Sequence, residues 1–140
     1  MKGFFPLLLC LLLVACSENT RPEPPTVEVP AALLKDSFAI EAGAELFNRH
    51  CRECHGTAAE GRTHRAESFN PPAPNFLTMD DTAADPGYLF WRIRTGKNIE
   101  PFYSRGSVMP AFGPYFSERQ IWQLVAYLRS RAARSSSPSG

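Results

Sequence analysis

The chain has 140 residues, the length of one small domain. Its hydrophobic content of 44% is inflated by residues 1–15, twelve of which are apolar. The remainder falls to about 40%, ordinary for a soluble domain. Lys2 is the only charge of that leader, so the rest carries 14 basic and 14 acidic side chains and no formal net charge. This balance excludes nucleic-acid binding by bulk electrostatics and an acidic disordered chain.

Lys2, the apolar run Phe4 to Val14 and then Ala15-Cys16 read as an export signal over residues 1–15. The uninterrupted apolar core is too short to span roughly 30 Å of hydrocarbon as a helix. Leu13-Val14-Ala15-Cys16 resembles the lipobox of bacterial lipoproteins. The resemblance implies cleavage before Cys16 and acylation of that residue; plain secretion is the alternative. Ser17 at the next position implies, by the same resemblance, sorting to the outer membrane of a Gram-negative cell, with the protein facing the periplasm. Two or three acyl chains on one residue give stable anchoring where one is marginal.

Residues 16–35 follow as a Pro-rich linker with Pro22, Pro24, Pro25 and Pro30 and no periodic apolar face. At roughly 3.1 Å per residue such a tract reaches some 60 Å. The folded domain is expected over residues 36–133, with a Ser-rich disordered tail over 134–140.

The first helix of the domain is predicted from Ser37 or Phe38 to Cys51, with Ile40, Gly43/Ala44 and Phe47 on one face. Gly43 in a helix interior suggests a close helix crossing. Cys51-Arg52-Glu53-Cys54-His55-Gly56 follows. On the export-signal and lipobox readings Cys10 would leave with the signal and Cys16 would be lipidated, so no pair is expected for a structural disulfide. C-x-x-C-H is the attachment motif for c-type haem. Thiols at i and i+3 share a helical face, which lets Cys51 and Cys54 form thioethers to one porphyrin. The adjacent His55 then offers an imidazole nitrogen to iron. A thiol redox pair normally opens a helix after a strand, and no β-α-β pattern is visible. A zinc site needs a second Cys/His pair, and His50 and His64 have the wrong spacing for one.

Residues 56–84 and 97–116 read as Gly/Pro-rich loops on either side of a second helix, Pro86 to Thr95. That helix has Asp85 as N-cap, Pro86 at N1, Gly96 as its stop, and Leu89, Phe90 and Ile93 facing inward. Arg92 and Arg94 are read as solvated. The third helix, Glu118 to Arg131, starts with a Ser117/Gln120 capping box and a Phe116/Ile121 staple. Its stripe is Ile121, Leu124, Val125 and Leu128. The fold class is therefore all-α: about three main helices, with long loops wrapped around one covalently bound haem.

The order of these motifs resembles a class I monohaem cytochrome c over nearly all of residues 38–130. The carriers are Gly43-Ala44-Glu45-Leu46-Phe47, the haem motif, Pro74-Asn75-Phe76, Val108-Met109-Pro110-Ala111-Phe112, and a closing helix with Trp122 and Tyr127. The resemblance implies that the first and last helices cross at Gly43, against Phe47 and one of Trp122 or Tyr127. It implies that the Pro74 carbonyl, with Pro72 as competitor, holds the ring nitrogen of His55. It also implies Met109 as the sixth iron ligand, a soft thioether that raises the potential. Met79, only 24 residues past His55, is the rival and is read as packing; His64 lies in a polar stretch, and His50 is read as a surface residue. Phe47, Phe76, Phe90, Trp91 and Phe112 are candidates for excluding water from the haem.

The function expected is that of an electron carrier rather than an enzyme, exchanging electrons with redox donor and acceptor proteins at an exposed haem edge. Two alternatives stand beside it. One is a haem protein with an open or displaceable sixth site, for gas sensing or peroxide reduction. The other is an electron-entry module of a larger periplasmic redox enzyme. Arg62, Arg65, Arg92, Arg94, Lys97 and Arg105 are candidates for a docking face.

Overall fold

The computed structural model describes residues 23–57, 59–78 and 85–135, with side chains described to residue 132. The leader, Cys16 and Met79 lie outside the described residues. The described residues are helical and contain no strand. The helices are α1 (Ser37–His50), α2 (Arg52–His55), α3 (His64–Glu67), α4 (Pro86–Thr95) and α5 (Glu118–Ser135), preceded by a 3₁₀ turn at Leu33–Lys35. The three long helices are those the sequence predicts. The one-turn α2 and α3 are additional, and α2 is set apart because the helix ending at His50 breaks at Cys51.

Local chemistry explains each start. Asp36 caps α1, its carboxylate accepting from the Phe38 N–H at 2.9 Å. Asp85 caps α4, accepting from the Tyr88 N–H at 2.7 Å, with Pro86 in the first turn where no donor is needed. At α5 the capping box is formed in both directions. The Ser117 N–H donates to Gln120 Oε1 at 2.9 Å, and the Gln120 N–H donates to Ser117 Oγ at 3.3 Å. The α5 helix runs four residues beyond the predicted end at Arg131, so residues 134 and 135 belong to helix rather than to a tail.

Helix α5 is the hub, packing on α1, on α4 and on the 3₁₀ turn. Its Ile121, Leu124, Val125 and Leu128 are buried, as the stripe predicts. Trp122 stacks on Phe90 of α4 with centroids 4.3 Å apart, a contact worth about 0.5–1.5 kcal/mol beyond area burial. At the α1–α5 crossing, a Cβ added to Gly43 would meet the Gln123 carbonyl oxygen at 2.0 Å and Tyr127 Cβ at 3.0 Å. Tyr127 is thus the aromatic of the crossing; its ring packs on Phe47 at 5.3 Å. The buried face of α1 is Ala39, Gly43, Leu46 and Phe47, and Ile40 is only half-buried, so the face is rotated slightly from the predicted one.

Two expectations are corrected. The Pro-rich tract is not free to residue 35: Val27, Val29, Leu33 and Leu34 pack against the core, and the 3₁₀ turn lies on α5 and α1. Spaced apolar side chains at 27 and 29 are too few to show as a period, yet they cover a core edge. Arg92 is not solvated but 5% exposed. Its guanidinium donates to the Gly96 carbonyl at 2.8 Å and lies over the rings of Trp91 at 4.3 Å and Phe102 at 4.7 Å. Aromatic faces stabilise a cation that burial would otherwise penalise. Arg94 is exposed, as read.

An exposed helix-interior glycine gains about 1 kcal/mol when replaced by alanine. Gly43→Ala is expected to do the opposite, because the added carbon meets backbone that cannot swing away. A loss of about 1–3 kcal/mol is expected from the shift in denaturant midpoint at unchanged slope. A stabilised variant would contradict the close crossing.

Candidate functional site: an apolar cleft with two thiols, an imidazole and a thioether

The haem motif folds as one tight turn. The Cys51 N–H caps the end of α1 by donating to the Phe47 carbonyl at 2.9 Å, and the His55 N–H donates back to the Cys51 carbonyl at 2.9 Å. Cys51 and Cys54 are free, half-buried thiols lining the same cleft as His55. Thr63 fixes the turn from outside, its hydroxyl donating to the Glu53 carbonyl at 2.9 Å.

The cleft holds about 1020 Å³ of atom-free space, mouth included. Its floor is apolar: Phe47 of α1, Ile93 of α4, and Leu124 and Leu128 of α5. The loop after α3 supplies Phe69, Pro71, Pro72, Ala73, Pro74 and Phe76. The loop after α4 supplies Lys97, Ser107, Val108, Met109, Pro110 and Phe112. The long loops are therefore the cleft walls, which explains segments of their length in so small a domain.

Met109 is half-buried in this cleft and is brought there by α4. The last carbonyls of a helix lack intrahelical donors. Here the Met109 loop satisfies them: Phe112 N–H donates to Ile93 at 3.0 Å and Gly113 N–H to Arg94 at 2.9 Å. In return the Lys97 N–H donates to the Met109 carbonyl at 3.0 Å. Gly96 makes this possible, with φ +64° and a position where a Cβ would sit 2.5 Å from the Pro110 carbonyl carbon.

Burial dominates the electrostatics. It lowers the pKa of His55 from 6.5 to about 4, helped by the Arg131 and Lys97 charges and opposed by the Pro74 carbonyl. At neutral pH the imidazole is uncharged and keeps a lone pair for a metal. The Pro74 carbonyl acts on the ring, yet Nδ1 is buried without a partner at hydrogen-bonding geometry. Burial, with the neighbouring Cys54, pushes the Cys51 thiol up to about 12.

Cys51, Cys54, His55, Pro74 and Met109 thus come together, with Phe47, Phe76 and Phe112 on the walls. Phe90 and Trp91 do not line the cleft; Phe90 is spent on Trp122, and Trp91 lies against Arg92. His64 is fully exposed and pairs with Glu67, away from the cleft. His50 is exposed at the mouth, beside Phe116 at 5.1 Å. Sequence reasoning missed Phe69, Leu124 and Leu128 as cleft residues. The α5 stripe identifies the two leucines as buried but not as facing a cofactor.

The donor set fits haem c. Two thiols lie on one turn, beside a buried neutral imidazole and a thioether, around an apolar space of the right order. Fold and site together define a cytochrome c domain. Residues 38–128 match the family described as cytochrome c oxidase, cbb3-type, subunit III, and the chain belongs to that family. Membership of that family implies covalently bound haem c. Among curated proteins the chain is 34% identical over 104 residues to the cbb3-type cytochrome c oxidase subunit FixP of Sinorhizobium medicae, covering 72% of this chain and 33% of that one. It is 32% identical over 116 residues to the quinohemoprotein alcohol dehydrogenase ADH-IIG of Pseudomonas putida, covering 82% and 14%. It is 26% identical over 97 residues to cytochrome c550 of Pseudomonas aeruginosa, covering 69% and 58%. The chain therefore spans about a third of FixP and a smaller part of the dehydrogenase.

Gly96→Ala is expected to push the Met109 segment off the end of α4. Amide exchange at Lys97, Phe112 and Gly113 should accelerate by about tenfold or more, the equivalent of a local destabilisation of about 1.4 kcal/mol. Amides at the centre of α5 should be unchanged.

Proposed function

We propose that this chain is an electron carrier held at the periplasmic side of a Gram-negative membrane by a lipid on Cys16. Cys51 and Cys54 are its thioether anchors, and His55 and Met109 its axial ligands. The bound haem supplies a one-electron Fe(II)/Fe(III) couple. The observation that carries the reading is the convergence of Cys51, Cys54, His55 and Met109 on one apolar cleft.

The residues' roles follow from their environments. His55 offers a neutral nitrogen because burial keeps it unprotonated. The Pro74 carbonyl biases which ring nitrogen carries the proton, leaving the other for iron. Met109, a soft ligand, favours the reduced state, and the α4 end holds its backbone in place, so little moves between the two states. Phe47, Phe76 and Phe112 exclude water from the cleft. No described helix is long and apolar enough to cross a membrane. Anchoring is assigned to Cys16 on the lipobox resemblance of Leu13-Val14-Ala15-Cys16, and Ser17 favours the outer membrane.

A second reading is supported by the names of two relatives, an oxidase subunit and an alcohol dehydrogenase. In it, the domain is the electron-entry module of a larger periplasmic redox enzyme. The chemistry is the same and the partner differs; co-purification from membranes separates the two. A sensing or peroxide-reducing site requires Met109 to stay off the iron, and the presence of Met109 in the cleft favours the carrier instead.

The oxidised protein, matured with haem, is expected to show the weak far-red absorption of sulfur on iron, and the reduced protein to bind carbon monoxide poorly. Met109→Ala should abolish that band and admit carbon monoxide, while Met79→Ala leaves both unchanged. A band that survives Met109→Ala assigns the ligand elsewhere. Cys16→Ala should move the protein from the membrane fraction to the soluble fraction. Retention in the membrane would refute the lipid anchor.

A further inference from the structure

Arg131, near the end of α5, is 2% exposed and lies behind the residues that carry His55. Its guanidinium carbon sits 4.9 Å from the Phe47 ring centroid and 5.6 Å from that of Phe76. These two rings pack in turn on the His55 imidazole, with centroids 6.3 and 4.9 Å away. One Arg131 nitrogen donates to the Thr57 carbonyl at 2.6 Å, two residues past His55. A permanently charged group is thereby fixed one aromatic layer from the expected iron ligand, within roughly 10 Å and shielded from solvent screening.

We infer that Arg131 is a positioning residue of the redox centre, whose buried charge biases the cleft toward the reduced state. The inference rests on the haem-carrier reading. Oxidation removes one electron from iron, passes it to an external redox partner and leaves one more positive charge in the cleft. A fixed cation nearby opposes that added charge, so the reduced form is favoured and the potential rises. Lys97, on the opposite loop, lines the same cleft but is half-exposed, so solvent and salt weaken its field. The purely structural alternative is that Arg131 only ties α5 to the loop following His55, through Thr57.

Charge and tie are separable by substitution in the matured haem protein. Arg131→Gln keeps an N–H for the Thr57 carbonyl and removes the charge. Arg131→Met keeps much of the packing over Phe47 and Phe76 and removes both. Arg131→Lys keeps the charge and loses the planar fork. With the far-red band intact, Arg131→Gln and Arg131→Met are expected to shift the redox equilibrium about tenfold toward the oxidised form, 59 mV for a one-electron couple. Arg131→Lys should recover most of that shift. A redox equilibrium within twofold of wild type in Arg131→Gln overturns the inference. So does an Arg131→Lys variant that falls as far as Arg131→Gln, which decides the matter even if the Met variant fails to mature. Failure of the carrier reading shows separately, in the wild type, as a missing far-red band and ready carbon monoxide binding.

Discussion

At Gly43, α1 meets the Gln123 carbonyl of α5 with no room for one more carbon. Much else depends on that contact. It sets the direction in which α1 leaves the crossing and so where the chain arrives at Cys51. It brings Phe47, one turn further along, between Tyr127 on one side and His55 on the other. The haem-binding turn then needs little rigidity of its own: it is a four-residue helix hung on a helix whose position is already fixed.

A second constraint acts at the other wall. Helix α4 ends in carbonyls that must find donors, and the Met109 loop supplies them. A ligand loop would normally be the least ordered part of a small domain. Here it completes a helix, so moving Met109 away breaks hydrogen bonds in both elements. Burial of Arg92 strengthens the arrangement from behind, because its guanidinium holds the Gly96 carbonyl and sits against Phe102 of the same loop. The two proposed iron ligands, His55 and Met109, are thus each supported by secondary structure formed for its own reasons.

The parts legible in the sequence are those governed by neighbours within a turn or two. Asp85-Pro86 and the Ser117/Gln120 pair announced helix starts because capping is local. The haem motif was readable because i, i+3 spacing alone puts two thiols on one face. The fate of Arg92 was not, because its burial depends on Phe102, which arrives from a separate loop. The same holds for Phe90, placed among cleft aromatics by its type but committed to Trp122 by the packing of α4 on α5. In the sequence Arg131 marks only the end of the predicted third helix. Only the tertiary fold sets it behind Phe47 and Phe76, residues 84 and 55 positions earlier in the chain.

The packing of Val27 and Val29 onto the domain changes how such a carrier would search for partners. With the proposed anchor at Cys16, ten residues separate it from Val27, about half the linker length the sequence alone implies. If the proposed lipid anchor holds, local concentration rises roughly as the inverse three-halves power of tether length, about threefold for a halving. The shortened leash exchanges range for encounter frequency. It suits a carrier whose partners stand in the same membrane surface more than one that must cross a wide aqueous gap.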